Sequence, residues 1–238
     1  MNAIRTMCAA ALLLPVIGLA QARPAVARSA ASAASSAAAS ALLERTAGLY
    51  TGSRGLRAEF TQRVKNPITS SETPSAGSYL QRGAGVFSVN FSQPAGDRIV
   101  SDGKTLWVYV PSATPGQVLK MPVGPGAPGG IDLVGQFFTS PARKFTVSDG
   151  GTAALGGVSL RKLVLVPKTD MGFTRAVLSV VHSSGVLKQL EVTEGSGLVR
   201  TLSFTTITRG VALAADAFSF SVPKGVTVVD QAALTKGM

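Results

Sequence analysis

Residues 86–93 read Val86-Phe87-Ser88-Val89-Asn90-Phe91-Ser92-Gln93, and shortly after them come Ile99-Val100-Ser101-Asp102-Gly103-Lys104-Thr105-Leu106-Trp107. In the first stretch Phe87, Val89 and Phe91 alternate with Ser88, Asn90 and Ser92, the period of two that marks a strand with one buried face. In the second, Asp102-Gly103 is a strong hairpin signal between Ile99-Val100 and the apolar run Thr105 to Val110. The same reading extends outward. Strand-like runs recur at 144–148, 158–166, 173–181, 186–193, 198–208 and 218–222, joined by turns such as 148–151, 183–185 and 194–197. Strands at regular spacing with short turns predict an antiparallel sheet, because parallel neighbours need long crossover connections.

Before Gly55 the period is 3.6. Ser40 is placed to cap a helix whose apolar stripe is Leu42, Leu43, Ala47 and Leu49 or Tyr50, ending near Gly52. Residues 111–130 hold five prolines and five glycines and predict a loop, with a short strand inside it at Gln117 to Met121. Ile131, Leu133, Val134, Phe137 and Phe138 then recur at helical spacing and stop before Pro141, predicting a second short amphipathic helix. Several strands carry apolar residues on both faces: Leu160, Val164 and Val166 oppose Leu163 and Leu165, while Ala176, Leu178 and Val180 oppose Val177 and Val181. This surplus fits an ordinary closed barrel or sandwich core. It fits equally a curved sheet whose concave face, covered by two helices and partly open, could hold an acyl chain.

The chain begins with Arg5, an apolar run from Met7 to Ala20 and the small-x-small pattern Ala20-Gln21-Ala22. Residues 1–22 thus read as a secretory signal peptide. Cleavage after Ala22 leaves 216 of the 238 residues, with Ala25-Val26-Ala27 a second possible site. Cys8, the only cysteine, precedes the apolar core and so cannot be a lipidation site; it leaves with the signal. Residues 23–39 are an Ala/Ser-rich tract, either linker or helix entry, and residues 40–238 form one domain. An exported, soluble, unanchored protein is expected.

Composition narrows the chemistry. Of the residues 45% are hydrophobic, 15% charged and 6% aromatic, and 23 Lys and Arg against 12 Asp and Glu give a net charge of +11. A single histidine and the loss of the single cysteine exclude a disulfide framework and a histidine-rich metal site. His182 sits beside a Ser-Ser-Gly turn, where an exposed turn residue is the simplest reading, and no G-x-S-x-G elbow, Walker loop or dinucleotide fingerprint is present. Asp102, Asp149 and Asp170 are explained by turn chemistry. No catalytic residue, metal or cofactor is therefore expected, and a hydrolase is disfavoured. The basic residues are dispersed and not interleaved with aromatics, which argues against nucleic acid; an acidic partner or membrane surface suits them better.

Phe60-Thr61-Gln62, Gly77-Ser78-Tyr79-Leu80, Phe87 through Gln93-Pro94, and above all Ile99 to Trp107 with Tyr109, resemble the LolA family of periplasmic outer-membrane lipoprotein carriers. The closing Phe218-Ser219-Phe220 and Pro223-Lys224-Gly225-Val226 to Asp230 is similar too, so the resemblance spans about residues 40–231. It implies a mainly β fold: a strongly curved antiparallel sheet, an unclosed β-barrel, with an α-helical lid over an apolar cavity. It implies a periplasmic chaperone that takes triacylated lipoproteins from the inner-membrane ABC exporter LolCDE to the outer-membrane receptor LolB or an equivalent, acting as a monomer without covalent chemistry. The acyl-binding residues it implies are Leu49, Tyr50, Phe60, Phe87, Val89, Phe91, Leu133 and Phe137. One departure stands out. Where the family carries Lys-Arg-Pro, this chain has Arg82-Gly83-Ala84. The arginine implied to latch the lid falls on Gly83, and Arg82, the nearest candidate latch, would point to the opposite face of a regular strand. A related periplasmic module that binds another lipid or senses envelope stress is the alternative reading.

Overall fold

The Ala/Ser tract has no β-branched or helix-breaking residue to stop helix propagation between Ala30 and Leu43. In the computed structural model, which describes residues 23–123 and 131–231, one helix, α1, runs from Arg23 to Thr51. Ser40 is accordingly not a cap: it lies inside the helix and its Oγ donates to the Ser36 carbonyl at 2.9 Å. Residues 1–22, read as the signal, and 124–130 of the Pro/Gly-rich loop lie outside the described residues.

Six strands follow: β1 (Leu56–Lys65), β2 (Glu72–Gln81), β3 (Val86–Gln93), β4 (Ala95–Asp102), β5 (Thr105–Tyr109) and β6 (Gln117–Pro122). A six-residue π-helical turn, Leu133–Phe138, and the one-turn helix α2 (Pro141–Lys144) precede β7 (Phe145–Leu155), β8 (Val158–Pro167), β9 (Arg175–Val181), β10 (Leu187–Thr193) and β11 (Val199–Arg209). The second amphipathic helix thus proves to be a single wide turn; Asp132 begins it and Pro141 lies too close for a longer one. At the C-terminal end, the expected strand at 218–222 is not formed. Ala215–Phe218 makes a 3-10 turn and β12 covers Thr227–Asp230.

All twelve strands join one sheet in the order β12-β6-β5-β4-β3-β2-β1-β11-β10-β9-β8-β7. Its two edge strands do not pair, so the sheet is open. Every pairing is antiparallel except β12 on β6, which is parallel, a departure from the all-antiparallel expectation. The chain reaches that position by crossing the outside of the sheet, where the 3-10 turn packs on β3 and β4. There Phe220 stacks on Trp107 (5.4 Å between centroids), and Phe218 is buried.

The curl of the sheet is evident in its core. One contiguous cluster takes inward residues from every strand except β12, from Met121 on β6 round to Phe145 on β7. Leu42, Leu43, Ala47 and Tyr50 of α1 and Leu133, Val134, Phe137 and Phe138 of the π turn fill the same concavity. A flat sheet could not bring strands so far apart in order onto one helix and one turn. Gly77 permits a tight step in the wall, since a Cβ there would lie 2.3 Å from the Asn90 carbonyl oxygen on β3.

Candidate functional site

The alternation of β1 sends Leu56, Ala58, Phe60 and Gln62 inward. Opposite them on β11, Phe204 pairs with Phe60 and Leu202 with Gln62. Together with Val89 and Phe91 of β3 and Ile99 of β4, Phe60, Gln62, Leu202 and Phe204 line a narrow cavity that opens to solvent, with about 30 Å³ of room for water-sized spheres. Its walls are apolar except for Tyr79, Gln62 and Arg200, and Ile131 and Leu133 of the lid segment form one side. The Phe60 and Phe91 rings meet edge to face at 5.7 Å.

The lid is held by buried polar side chains. Tyr79 and Gln81, inward at the end of β2, are 4% and 1% exposed. Tyr79 Oη lies 2.6 Å from Gln81 Oε1 and 2.9 Å from the Ile131 carbonyl, and accepts from the Leu133 N–H at 3.2 Å. Gln81 Oε1 also accepts from the Val134 N–H at 3.1 Å, while its Nε2 donates to the Gly83 carbonyl and to Asp132. Asp132 in turn accepts from Gly85 N–H and, as the N-cap of the turn, from Gly135 N–H, both at 2.8 Å. Lys144 donates to the Gly135 carbonyl. Burial, and then the nearby Asp132 charge, push the Tyr79 phenol well above its usual range, so it stays neutral and can hydrogen-bond both ways. Burial lowers the Lys144 ammonium, partly offset by Asp132.

On the α1 side, Phe138 stacks flat on Tyr50 at 4.6 Å, and Tyr50 Oη accepts from the Leu187 N–H at 2.9 Å. Burial raises the Tyr50 phenol, although that hydrogen bond and Arg209 pull it down. Phe137 packs between Phe145 (6.0 Å) and Phe173 (5.5 Å).

The residues singled out from sequence therefore divide. Phe60, Val89, Phe91 and Leu133 line the cavity. Phe87 is inward and buried but lies behind the wall, stacked on Tyr79 at 6.4 Å. Phe137 and Tyr50 form the aromatic seat of the lid and of α1, and Leu49 packs partly buried against the core. Arg82 points away from the lid, with its guanidinium 5.0 Å from the centroid of the Phe218 ring. Inward-facing Tyr79 and Gln81, with Asp132, engage the lid instead. Parity along β2 was the available signal: Tyr79 and Gln81 share a face that Arg82 does not. Arg200, Leu202 and Phe204 were missed because the β11 run 198–208 has no clean alternation of apolar and polar residues.

The family model described as outer membrane lipoprotein carrier protein LolA matches residues 51–122. The outer-membrane lipoprotein carrier protein of Cupriavidus necator is 30% identical over 196 residues, covering 81% of this chain and 89% of its own. That of Xanthomonas oryzae pv. oryzae is 30% identical over 184 residues, 76% of this chain and 84% of its own. An uncharacterized conserved protein from Thermus thermophilus has a similar solved fold, with a TM-score of 0.51 at 16% identity over 81% of this chain and 99% of that one.

Proposed function

The chain belongs to the LolA family of outer-membrane lipoprotein carrier proteins, and we propose that it shelters the acyl chains of lipoproteins in the lidded cavity while they cross the periplasm. The cavity carries this reading. An apolar space walled by Phe60, Phe91, Leu202 and Phe204, with Leu133 of the lid as one side, has no catalytic group in it and suits alkyl chains. Each methylene moved from water into it contributes roughly 0.8 kcal/mol. The closed cavity has only about 30 Å³ of room for water-sized spheres, enough for a water or two and not for an alkyl chain. Acyl chains thus require the lid to swing aside, exposing the apolar surface now under Leu133, Val134, Phe137 and Phe138.

Opening breaks the hydrogen bonds of Tyr79 and Gln81 to the lid backbone and the Tyr50–Phe138 stack. Cargo burial offsets that loss, and closure follows when the cargo leaves, so the lid sets how firmly cargo is held. Direction comes from the receiving site binding the chains more tightly than the giving one. We take the donor to be the inner-membrane exporter LolCDE and the acceptor to be LolB or an equivalent receptor, with the carrier acting as a monomer in the periplasm and without any covalent step. Among the described residues no helix is long and apolar enough to cross a membrane.

The test is release of newly made lipoproteins from spheroplasts on adding purified protein. Wild type should bring them into the soluble fraction, and Phe91→Glu, a carboxylate on the half-buried cavity wall, should reduce release at least several-fold with the fold retained. Full release by that variant would overturn the assignment. Phe87→Glu is the poorer probe, because Phe87 is 3% exposed and a charge there would destabilise the core itself.

A further inference from the structure

One end of the cavity is polar, on residues that an alkyl chain would not need. Arg200 and Gln62 face inward from adjacent strands; Gln62 pairs with Leu202, so Arg200 is its diagonal neighbour, within reach for long side chains. Gln62 is buried (8% exposed) and donates through Nε2 to Ser75 Oγ at 2.9 Å. The Arg200 guanidinium is held at one nitrogen by Glu194, 2.9 Å away. Its Nε is shielded from solvent and has no acceptor. A buried N–H of a charged group left without a partner is costly, and an oxygen brought in with the cargo when the lid opens relieves that cost. Because Glu194 already balances the charge, a neutral acceptor suits the site better than a second carboxylate, which would add its own desolvation beside Glu194.

We propose that Arg200, through its Nε, receives the ester carbonyl that joins an acyl chain to the glyceryl group of the cargo, and so fixes which end of the chain lies at this end of the cavity. Arg200 is thus a specificity-determining residue that distinguishes ester-linked lipid from bare alkyl chains and from free fatty acid. The inference rests on the carrier reading of the cavity.

The experiment is displacement of a fluorescent acyl probe from the full chain by three short-chain ligands: an S-diacylglyceryl-cysteine peptide, its ether-linked twin lacking only the two carbonyls, and the free fatty acid. Wild type should bind the ester about ten-fold more tightly than the ether, the scale of one hydrogen bond to a charged group, and the fatty acid should show no such gain. Arg200→Met should bring ester and ether affinities together, whereas Glu194→Gln, which keeps the Nε–H, should preserve the preference. If Arg200→Met does not fold, Arg200→Lys, which retains the charge but has no Nε–H, must lose the preference. Equal binding of ester and ether by wild type, a preference that survives loss of Arg200, or a fatty acid favoured over the ester overturns the role of Arg200 alone. Wild type binding neither peptide overturns the carrier reading itself.

Discussion

Gln81 does the most with the least sequence signal. A polar residue at the end of a strand reads as the start of a turn, yet it is 1% exposed and its oxygen accepts from both Tyr79 and the lid backbone. Replacing it with leucine leaves the Val134 N–H buried without an acceptor. Gln81→Leu should therefore cost about 1–3 kcal/mol in urea unfolding, and amides of residues 131–138 should exchange faster than those of β8 to β10. Tyr79 allows a test by pH. Its phenol is raised above the ordinary value of 10.0, so the folded state holds the proton more tightly than the unfolded one. The resulting stabilisation is complete below pH 10 and declines as pH rises toward the folded value. The stability difference between wild type and Tyr79→Phe should accordingly be level from pH 7 to about 9 and shrink above 10, in unfolding curves taken at each pH. A difference that grows with pH would contradict the burial of a neutral phenol. Tyr79 stands in a stretch legible as family-like, but only its inward direction, a matter of parity, gives it a task.

At the scale of elements, the lid turn depends on its glycine. A Cβ on Gly135 would lie 2.0 Å from Asp132 Oδ2, the carboxylate that caps the turn and also binds Gly85. Gly135→Ala must push that carboxylate aside, so it should destabilise by roughly 1 kcal/mol, the value of a lost cap, and should speed lid exchange while leaving exchange in β10 unchanged. Helix α1 poses the opposite case. At about 43 Å for 29 residues it is long, yet among its described side chains, from residue 32 on, the first fully buried one is Ala39. Before that, Ser35 donates to Asp149 on β7 at 2.9 Å. Ser35→Ala should loosen exchange in residues 32–38 and change overall stability by no more than about 0.5 kcal/mol, as is usual at surface positions. The apolar stripe of α1 was legible because 3.6-residue spacing needs only local sequence. Its start was not, since an alanine tract propagates helix without any pattern to mark an end. The lid's apolar spacing was legible too, but six residues make fewer than two turns of either helix, too few to separate an i→i+4 from an i→i+5 pattern.

For the whole molecule, the strands were largely readable, since alternation at Phe87, Val89 and Phe91 and the Asp102-Gly103 hairpin fall within β3, β4 and β5 as expected. The open curve came only from the family resemblance, because the apolar surplus fitted a closed barrel equally. Phe218-Ser219-Phe220 misled, because alternation says that one face is buried and not that a ladder is formed. Phe218 and Phe220 achieve burial and stacking on the outside of the sheet with no strand at all. Long-range order was hidden for a related reason. Nothing local reveals that β1 joins β11, or that Thr227–Asp230 returns to lie parallel on β6.

That return has a bearing on self-association while the chain is being made. Until residues 227–230 arrive, β6 is a bare edge whose unpaired backbone groups, with Val118 and Leu119 between them, can recruit a strand from another molecule. The last strand to be made thus acts as a safety catch against self-association, held by the Lys120–Asp230 ion pair at 2.9 Å. A chain stopped after Val226 should keep its cavity and lid yet form oligomers in light scattering as concentration rises. The intact chain, or the shortened one supplied with a peptide of residues 227–231, should stay dispersed.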